Sequence, residues 1–310
     1  MRNHDAASDS SAAPAASATV LLLRDSAPGR IEVLLQQRHA ELRFMGGHWV
    51  FPGGREAAAD AQPDLLARIH AGVDADRLAR LRSAAGPPLP PVAALAAHVT
   101  ACRETFEEAG VLLASRRDGS ACRGRALQQA LALRADTARD PARFREALVR
   151  AEAWLDPARL VYWSHWITPL LGTQPRFDTR FFAVALPEGQ VVQEDGGEAV
   201  ASAWVDPAEA CARAERGELQ LAPPTLLTLL DLARAARSVG SVAALLLQEA
   251  GRAPPPVTPR LRVEQSSRRL LMPWHPDYVA TPGAGIPAEP DWPEWLTRGP
   301  AEFQPPQRAG

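Results

Sequence analysis

Three glutamates, Glu104, Glu107 and Glu108, stand at helical spacing. At about 100° per residue they share roughly 100° of arc, while Leu95, Val99, Cys102, Phe106 and Ala109 fall on the other side. A helix of this kind buries one face and offers three carboxylates within a turn. Like charges at i,i+4 destabilise a helix by about 0.2–0.5 kcal/mol per pair. A cation between them removes that repulsion, and oxygen-rich clusters are what Mg²⁺ accepts. Three glutamates by themselves more often form a solvated acidic face, so the flanking residues decide.

Those residues read Arg103-Glu104-Thr105-Phe106-Glu107-Glu108-Ala109-Gly110-Val111, and upstream stands Phe51-Pro52-Gly53-Gly54. The two segments resemble the second and first halves of the Nudix box. The resemblance implies a Mg²⁺- or Mn²⁺-dependent hydrolase of diphosphate bonds, with Glu104, Glu107 and Glu108 as metal ligands. It implies that Arg103 orients a carboxylate, and that Gly53 and Gly54 bring backbone close to the metal helix in the substrate site. The spacing departs from the box. The sixth residue after Gly54 is Asp60, where Glu is usual, and residues 61–102 fill a gap that normally holds seven. Peroxisomal CoA and acyl-CoA diphosphatases of the family carry such an insertion, also with Asp at that place. Whether Asp60 takes part is left open.

The same branch is similar further along. Trp166-Ile167-Thr168-Pro169, Arg176 to Phe182 and Leu221-Ala222-Pro223-Pro224-Thr225 match its segments, so the likeness covers roughly residues 18 to 235. Glu198 stands six residues before Trp204, as a Glu does there, which implies a further catalytic carboxylate. Upstream of the box, Leu34-Leu35-Gln36-Gln37-Arg38-His39, then Arg43 and Gly47, keep the register of the CoA-diphosphatase signature, with Gln36 and His39 as departures. CoA carries a 3′-phosphate beside its diphosphate, and arginine binds such groups through paired hydrogen bonds. Arg38 and Arg43 are therefore the candidates for the adenosine end. ADP-ribose, NADH or another nucleoside diphosphate derivative is the rival substrate, and a silent, nucleotide-sensing Nudix fold is the rival from another class.

These residues need a scaffold. Ala18–Arg24 and Ile31–Gln37 read as strands joined at Ala27-Pro28-Gly29, and His48–Phe51 as a short strand entering the glycines. Helical patterns lie at Pro63–Ala71 and Asp74–Ser83, followed by a proline cluster that ends them. Pro91 suits the first position of the helix Val92–Ala109, and Gly110 its left-handed cap. Helices are expected at Arg125–Leu133, Pro141–Trp154, Pro207–Arg216 and Pro223–Arg237, and strands at Trp166–Thr168, Thr179–Leu186 and Val200–Val205. The fold implied is α/β: a Nudix α/β/α sandwich with a mixed sheet, a helical insertion within the box and a Pro-rich C-terminal extension. Its expected parts are a disordered tail (1–17), the hydrolase domain (18–250, with the insertion at 61–90) and an extended strap (251–310).

Composition narrows the partners. A net charge of −2 offers no basic surface for nucleic acid or anionic membrane. No stretch of about 18 apolar residues could span a bilayer, and the first 17 residues lack a signal peptide's apolar core. The last residues, Gln-Arg-Ala-Gly, are not a peroxisomal address, so a cytoplasmic setting is expected. Cys102, Cys122 and Cys211 are odd in number and scattered, which fits free thiols. The partner is then a small-molecule diphosphate, and homo-oligomer formation is compatible with the sequence.

Overall fold

A computed structural model describes residues 13–42, 45–71, 73–170, 175–194, 199–264, 267–282, 292, 297 and 299–303. The chain opens with the hairpin β1 (Ala15–Ala27) and β2 (Arg30–Arg38), turned at Pro28-Gly29 with Gly29 at φ 74°. The short β3 (Trp49–Val50) and β4 (Gly53–Arg55) lead to one-turn helices α1 (Pro63–Leu66) and α2 (Ala75–Ala79), and then to the long α3 (Pro91–Ala109). The two-stranded ladder of β5 (Ala114–Ser115) and β6 (Trp154–Leu155) brackets α4 (Gly124–Leu131), α5 (Arg134–Arg139) and α6 (Phe144–Arg150). Next come β7 (Val161–Ile167), β8 (Phe177–Ala185) and β9 (Ala199–Val205), then α7 (Pro207–Glu215), α8 (Pro223–Ala236) and α9 (Val242–Gln248). The C-terminal part holds β10 (Pro256–Val257), β11 (Arg260–Glu264), β12 (Ser267–Leu271) and β13 (Glu302–Phe303).

Among the described residues the main sheet runs β10-β7-β8-β1-β2-β3, with β4 also paired to β1 and β9 to β2. The β1–β8 and β10–β7 pairs are parallel and the rest antiparallel, so the sheet is mixed. Alternation along β1 builds two cores, as the period of a strand requires. Ala18, Val20 and Leu22 pack with Val99 and Phe106 of α3. Leu21 and Leu23 pack with Leu229 and Leu232 of α8 and with Val257 and Met272 of the C-terminal extension. This is the α/β/α sandwich, with α3 on one face and α8 on the other.

Several boundaries differ from expectation. β1 begins at Ala15, inside the presumed tail, because Ala15–Ser17 pair with Phe177–Thr179. Among the described residues of the insertion 61–90 there are two single turns of α-helix, and Leu65, Leu78 and Leu81 sink into the α3-side core. The helix expected to reach Trp154 stops at Arg150, since Glu152 takes a left-handed turn (φ 51°) and Trp154 pairs in β6. The region past Arg252 is partly a three-stranded sheet, β11-β12-β13, rather than only a strap. The three cysteines are buried and unbridged. No described helix is long and apolar enough to cross a membrane.

Candidate active site

The site begins with how α3 starts and stops. Pro91 opens the helix, where its missing N–H costs nothing. Gly110 closes it in the left-handed region (φ 65°), and its N–H returns to the Phe106 carbonyl. Two side chains finish the C-terminal turn. Arg134 Nε donates to the Glu107 carbonyl at 2.7 Å and its Nη2 to the Glu108 carbonyl at 2.8 Å. Gln36 Nε2 reaches the Glu108 carbonyl at 3.1 Å. A cation at a helix C-terminus also complements the macrodipole. The turn carrying Glu107 and Glu108 is therefore fixed from outside the helix.

Arg103 is the hub beneath the carboxylates. Its Nε and Nη2 grip the two oxygens of Asp60 at 2.8 and 2.9 Å, its Nη1 donates to Glu104 at 2.8 Å and to Glu107 at 3.2 Å, and its Nη2 also meets the Arg55 carbonyl. Asp60 is fully buried and accepts in addition from Thr100 Oγ1 and the Ala57 N–H. Burial alone would lower the Arg103 pKa, but its bond to Asp60 and the charges of Glu104 and Glu107 more than offset this and hold the guanidinium charged. So Asp60, left open by the sequence, takes part by anchoring Arg103. Burial pushes Glu107 up to about 7, against the lowering charge of Arg103 and with the repulsion of Glu104.

The two halves of the box meet in space despite the insertion. The Gly53 N–H donates to Glu108 Oε2 at 2.8 Å. A Cβ on Gly54 would lie 2.5 Å from the Glu104 carboxylate, and one on Gly53 would lie 2.7 Å from Thr19 Cα. Gly53 permits the close approach to the β1 backbone, and the missing Cβ of Gly54 leaves the room that the Glu104 carboxylate occupies.

Glu104, Glu107 and Glu108 line a cavity of about 720 Å³ together with Gly53, Gly54 and Arg38. Arg55 and Glu56 line it as well, and neither belongs to the motifs that point to the site. Their signal was position, directly after the two glycines. Burial, followed by the repulsion of Asp60, raises the Glu56 pKa. Arg134 was also missed, because nothing local ties it to a turn 26 residues earlier. Arg43 and Glu198 lie outside the described residues. Glu194, from the same loop as Glu198, turns its carboxylate to the Ser202 N–H at 2.8 Å.

Among the described residues no three Asp, Glu, His or Cys side chains are already gathered as a metal cage. Glu104 and Glu107 lean on Arg103, and Glu108 leans on the Gly53 N–H. The donor set nevertheless fits a hard divalent cation: three carboxylates, half-buried or buried, open onto one cavity with oxygen donors only. Such a cation would draw Glu104 and Glu107 partly from Arg103, and the Asp60 pairing would keep the guanidinium in place.

The chain is similar to known proteins over much of its length. The sequence profile described as the NUDT19 Nudix domain matches residues 6–234. Acyl-coenzyme A diphosphatase NUDT19 of Gallus gallus is 32% identical over 256 residues, covering 69% of this chain and 67% of that protein. Its Homo sapiens counterpart is 35% identical over 227 residues, covering 65% and 60%. The chain thus matches about two thirds or less of these relatives' length. A NUDIX hydrolase from Alicyclobacillus acidocaldarius superposes with a TM-score of 0.57 at 27% identity, over 75% of this chain and 95% of that one. The glutamate helix, the glycine approach and the profile covering most of the sequence give one answer: the chain belongs to the NUDT19 Nudix domain family of hydrolases.

Proposed function

We propose that this chain is a divalent-cation-dependent diphosphatase acting on CoA or an acyl-CoA. Water adds its oxygen to one phosphorus of the diphosphate, the P–O–P bridge breaks, and the bridging oxygen leaves with the electron pair. The products are adenosine 3′,5′-bisphosphate and phosphopantetheine or its acyl form. The observation that carries the reading is the placement of Glu104, Glu107 and Glu108 around one cavity, held by Arg103 and the Gly53 N–H. The printed names of the chicken and human relatives, acyl-coenzyme A diphosphatases, support the substrate class.

In this reading Glu104, Glu107 and Glu108 hold Mg²⁺, or Mn²⁺ in its place. The cation supplies neutralisation of phosphate charge and lowers the pKa of bound water. The protein's share is positioning. Asp60 and Arg103 set the direction of Glu104 and Glu107, while Arg134 and Gln36 hold the turn that aims Glu108. Arg38, on the cavity wall, and Arg43 are assigned to the adenosine 3′-phosphate, and Glu198 to the set as a further carboxylate. Preorganised groups of this kind carry much of the rate in such sites because they need no rearrangement during the reaction.

A substrate panel tests the reading. The purified chain with Mg²⁺ should turn over CoA and acyl-CoAs with a higher kcat/KM than ADP-ribose, NADH or dinucleoside polyphosphates. A clear preference for ADP-ribose or NADH overturns the substrate assignment, and no turnover of any diphosphate overturns the enzyme.

A further inference from the structure

The cavity is divided by charge. Every described charged residue that lines it, from Arg38 through Arg55, Glu56 and Arg103 to the three α3 glutamates, comes from β2, α3 or the segment at β4. The lining from β7, β8, α8 and the C-terminal extension is uncharged, and includes Trp166, Phe177, Phe181, Pro224, Pro259 and Leu270. Phe181 meets Phe51, which leads into β4, edge to face at 6.2 Å, and both rings belong to the α8-side core, so this part of the wall is fixed by packing. The sheet order turns the division into a direction. β2 and β7 are separated by β1 and β8. The uncharged lining of β8 lies one strand from β1, whose other edge pairs with β4, and the β7 lining lies one strand further out, so the division follows the sheet order in steps of about 4.8 Å.

A CoA thioester has the same polarity. The nucleoside end carries the 3′-phosphate, the diphosphate lies between, and the pantetheine arm and acyl chain carry no charge. With the diphosphate at the glutamates, the polyanionic end belongs beside Arg38 and the uncharged arm belongs on the β7 flank, which carries more of the uncharged lining than the segments at Met45, Val50, Ala138 and Pro141. Thr168, Thr179 and Thr225 line that flank; the Thr168 hydroxyl accepts from the Phe177 N–H and the Thr179 hydroxyl pairs with Ser17, which leaves each of these two further hydrogen-bonding capacity for the arm's amides.

We propose that the uncharged flank is the subsite for the pantetheine arm and the first methylenes of the acyl chain, with the C-terminal extension, through Pro259 and Leu270, as its outer wall. The proposal rests on the diphosphatase reading and adds to it a specificity role for residues beyond the matched domain, which ends at 234.

Two half-buried positions allow a test without emptying the core. Pro224 is the second residue of α8, where an acidic side chain suits the helix start. Phe177 opens β8, where threonine keeps the strand preference. Calorimetry measures binding of octanoyl-pantetheine, which has no nucleotide, and of adenosine 3′,5′-bisphosphate, which has no arm, to wild type, Pro224→Asp and Phe177→Thr. Circular dichroism confirms that each variant is folded. Each buried methylene gives about fourfold in affinity (~0.8 kcal/mol). Octanoyl-pantetheine should therefore weaken at least about tenfold in each variant, with the bisphosphate held within about twofold. Absence of octanoyl-pantetheine binding by wild type, equal losses on both ligands, or a loss confined to the bisphosphate overturns the subsite. Hydrolysis of CoA by wild type is read alongside. If CoA is hydrolysed and neither variant changes arm binding, the subsite fails and the functional reading stands. If arm binding follows the flank and no CoA derivative is hydrolysed, the functional reading fails and the subsite stands.

Discussion

A methyl group on Gly54 separates the roles of the two glycines. The Cβ of Gly54→Ala would sit 2.5 Å from the Glu104 carboxylate, too close for either to stay. The backbone at Gly54 does not lie in the left-handed region, so alanine fits the main chain there and the side chain of Glu104 must give way. In moving, Glu104 gives up its 2.8 Å bond to Arg103. A hydrogen bond between charged groups is worth about 1.5–3 kcal/mol, which is about ten- to a hundredfold in kcat/KM if it is realised in the transition state. The fold should be nearly indifferent, within about 1 kcal/mol, because replacing Gly by Ala also reduces the freedom of the unfolded chain. Gly53→Ala makes the contrast. Its Cβ meets the β1 backbone, 2.7 Å from Thr19 Cα, so a central strand must shift at a cost of about 1–3 kcal/mol. Steady-state kinetics and urea unfolding on both variants decide the matter. Wild-type kcat/KM in Gly54→Ala, or equal destabilisation by the two, refutes the assignment of Gly54 to the room Glu104 occupies.

Glu107→Gln and Glu108→Gln should each lose at least about 10²-fold in kcat, the scale for one preorganised electrostatic group; near-normal turnover in both speaks against the carboxylate site. Arg38→Ala should lose about ten- to a hundredfold more kcat/KM on CoA than on 3′-dephospho-CoA, and equal losses remove its 3′-phosphate role. His98 is fully buried and its Nδ1–H donates to the Ala94 carbonyl at 2.7 Å; burial drives its pKa from 6.5 down to about 4. Between those values the unfolded chain binds the proton and the folded chain does not, so its contribution is complete above about pH 6.5 and fades as pH falls toward 4. His98→Phe, which keeps a ring against Phe182, should lose less stability than wild type between pH 7 and pH 5 in urea titrations; parallel losses contradict this.

Local signals were legible where the physics is local. Pro91 and Gly110 marked the ends of α3 to within a residue, and the hairpin turn at Pro28-Gly29 and the strand alternation around it were plain. The meeting of the box halves could be anticipated from the resemblance, but the Asp60 to Arg103 pairing across 43 residues could not be read from spacing. Arg134 is the same kind of case, a side chain placed by the fold of α5 onto the end of α3. The face of α3 opposite the glutamates was expected to be the buried one, yet Arg103, Glu104 and Thr105 are buried too, because the insertion and β4 cover the helix from the other side. The C-terminal strands and α9 were missed for different reasons. α9 is short and is signalled only by Ser241 capping the Ala244 N–H, and β12 finds its order in pairing with β11 and β13 rather than in its own residues.

The proposed reaction, cation-dependent cleavage of a CoA diphosphate at the α3 carboxylates, leaves a distinct product signature in H₂¹⁸O. Wild type and Glu108→Gln are incubated with octanoyl-CoA, with Mg²⁺ or with EDTA, and the products are resolved by mass spectrometry. Adenosine 3′,5′-bisphosphate and octanoyl-phosphopantetheine should appear together, with one ¹⁸O in one of the two, in wild type with Mg²⁺ and at least about 10²-fold more slowly in the variant. Full turnover in EDTA, or release of octanoate and CoA in place of these two products, rules out a cation-dependent diphosphatase.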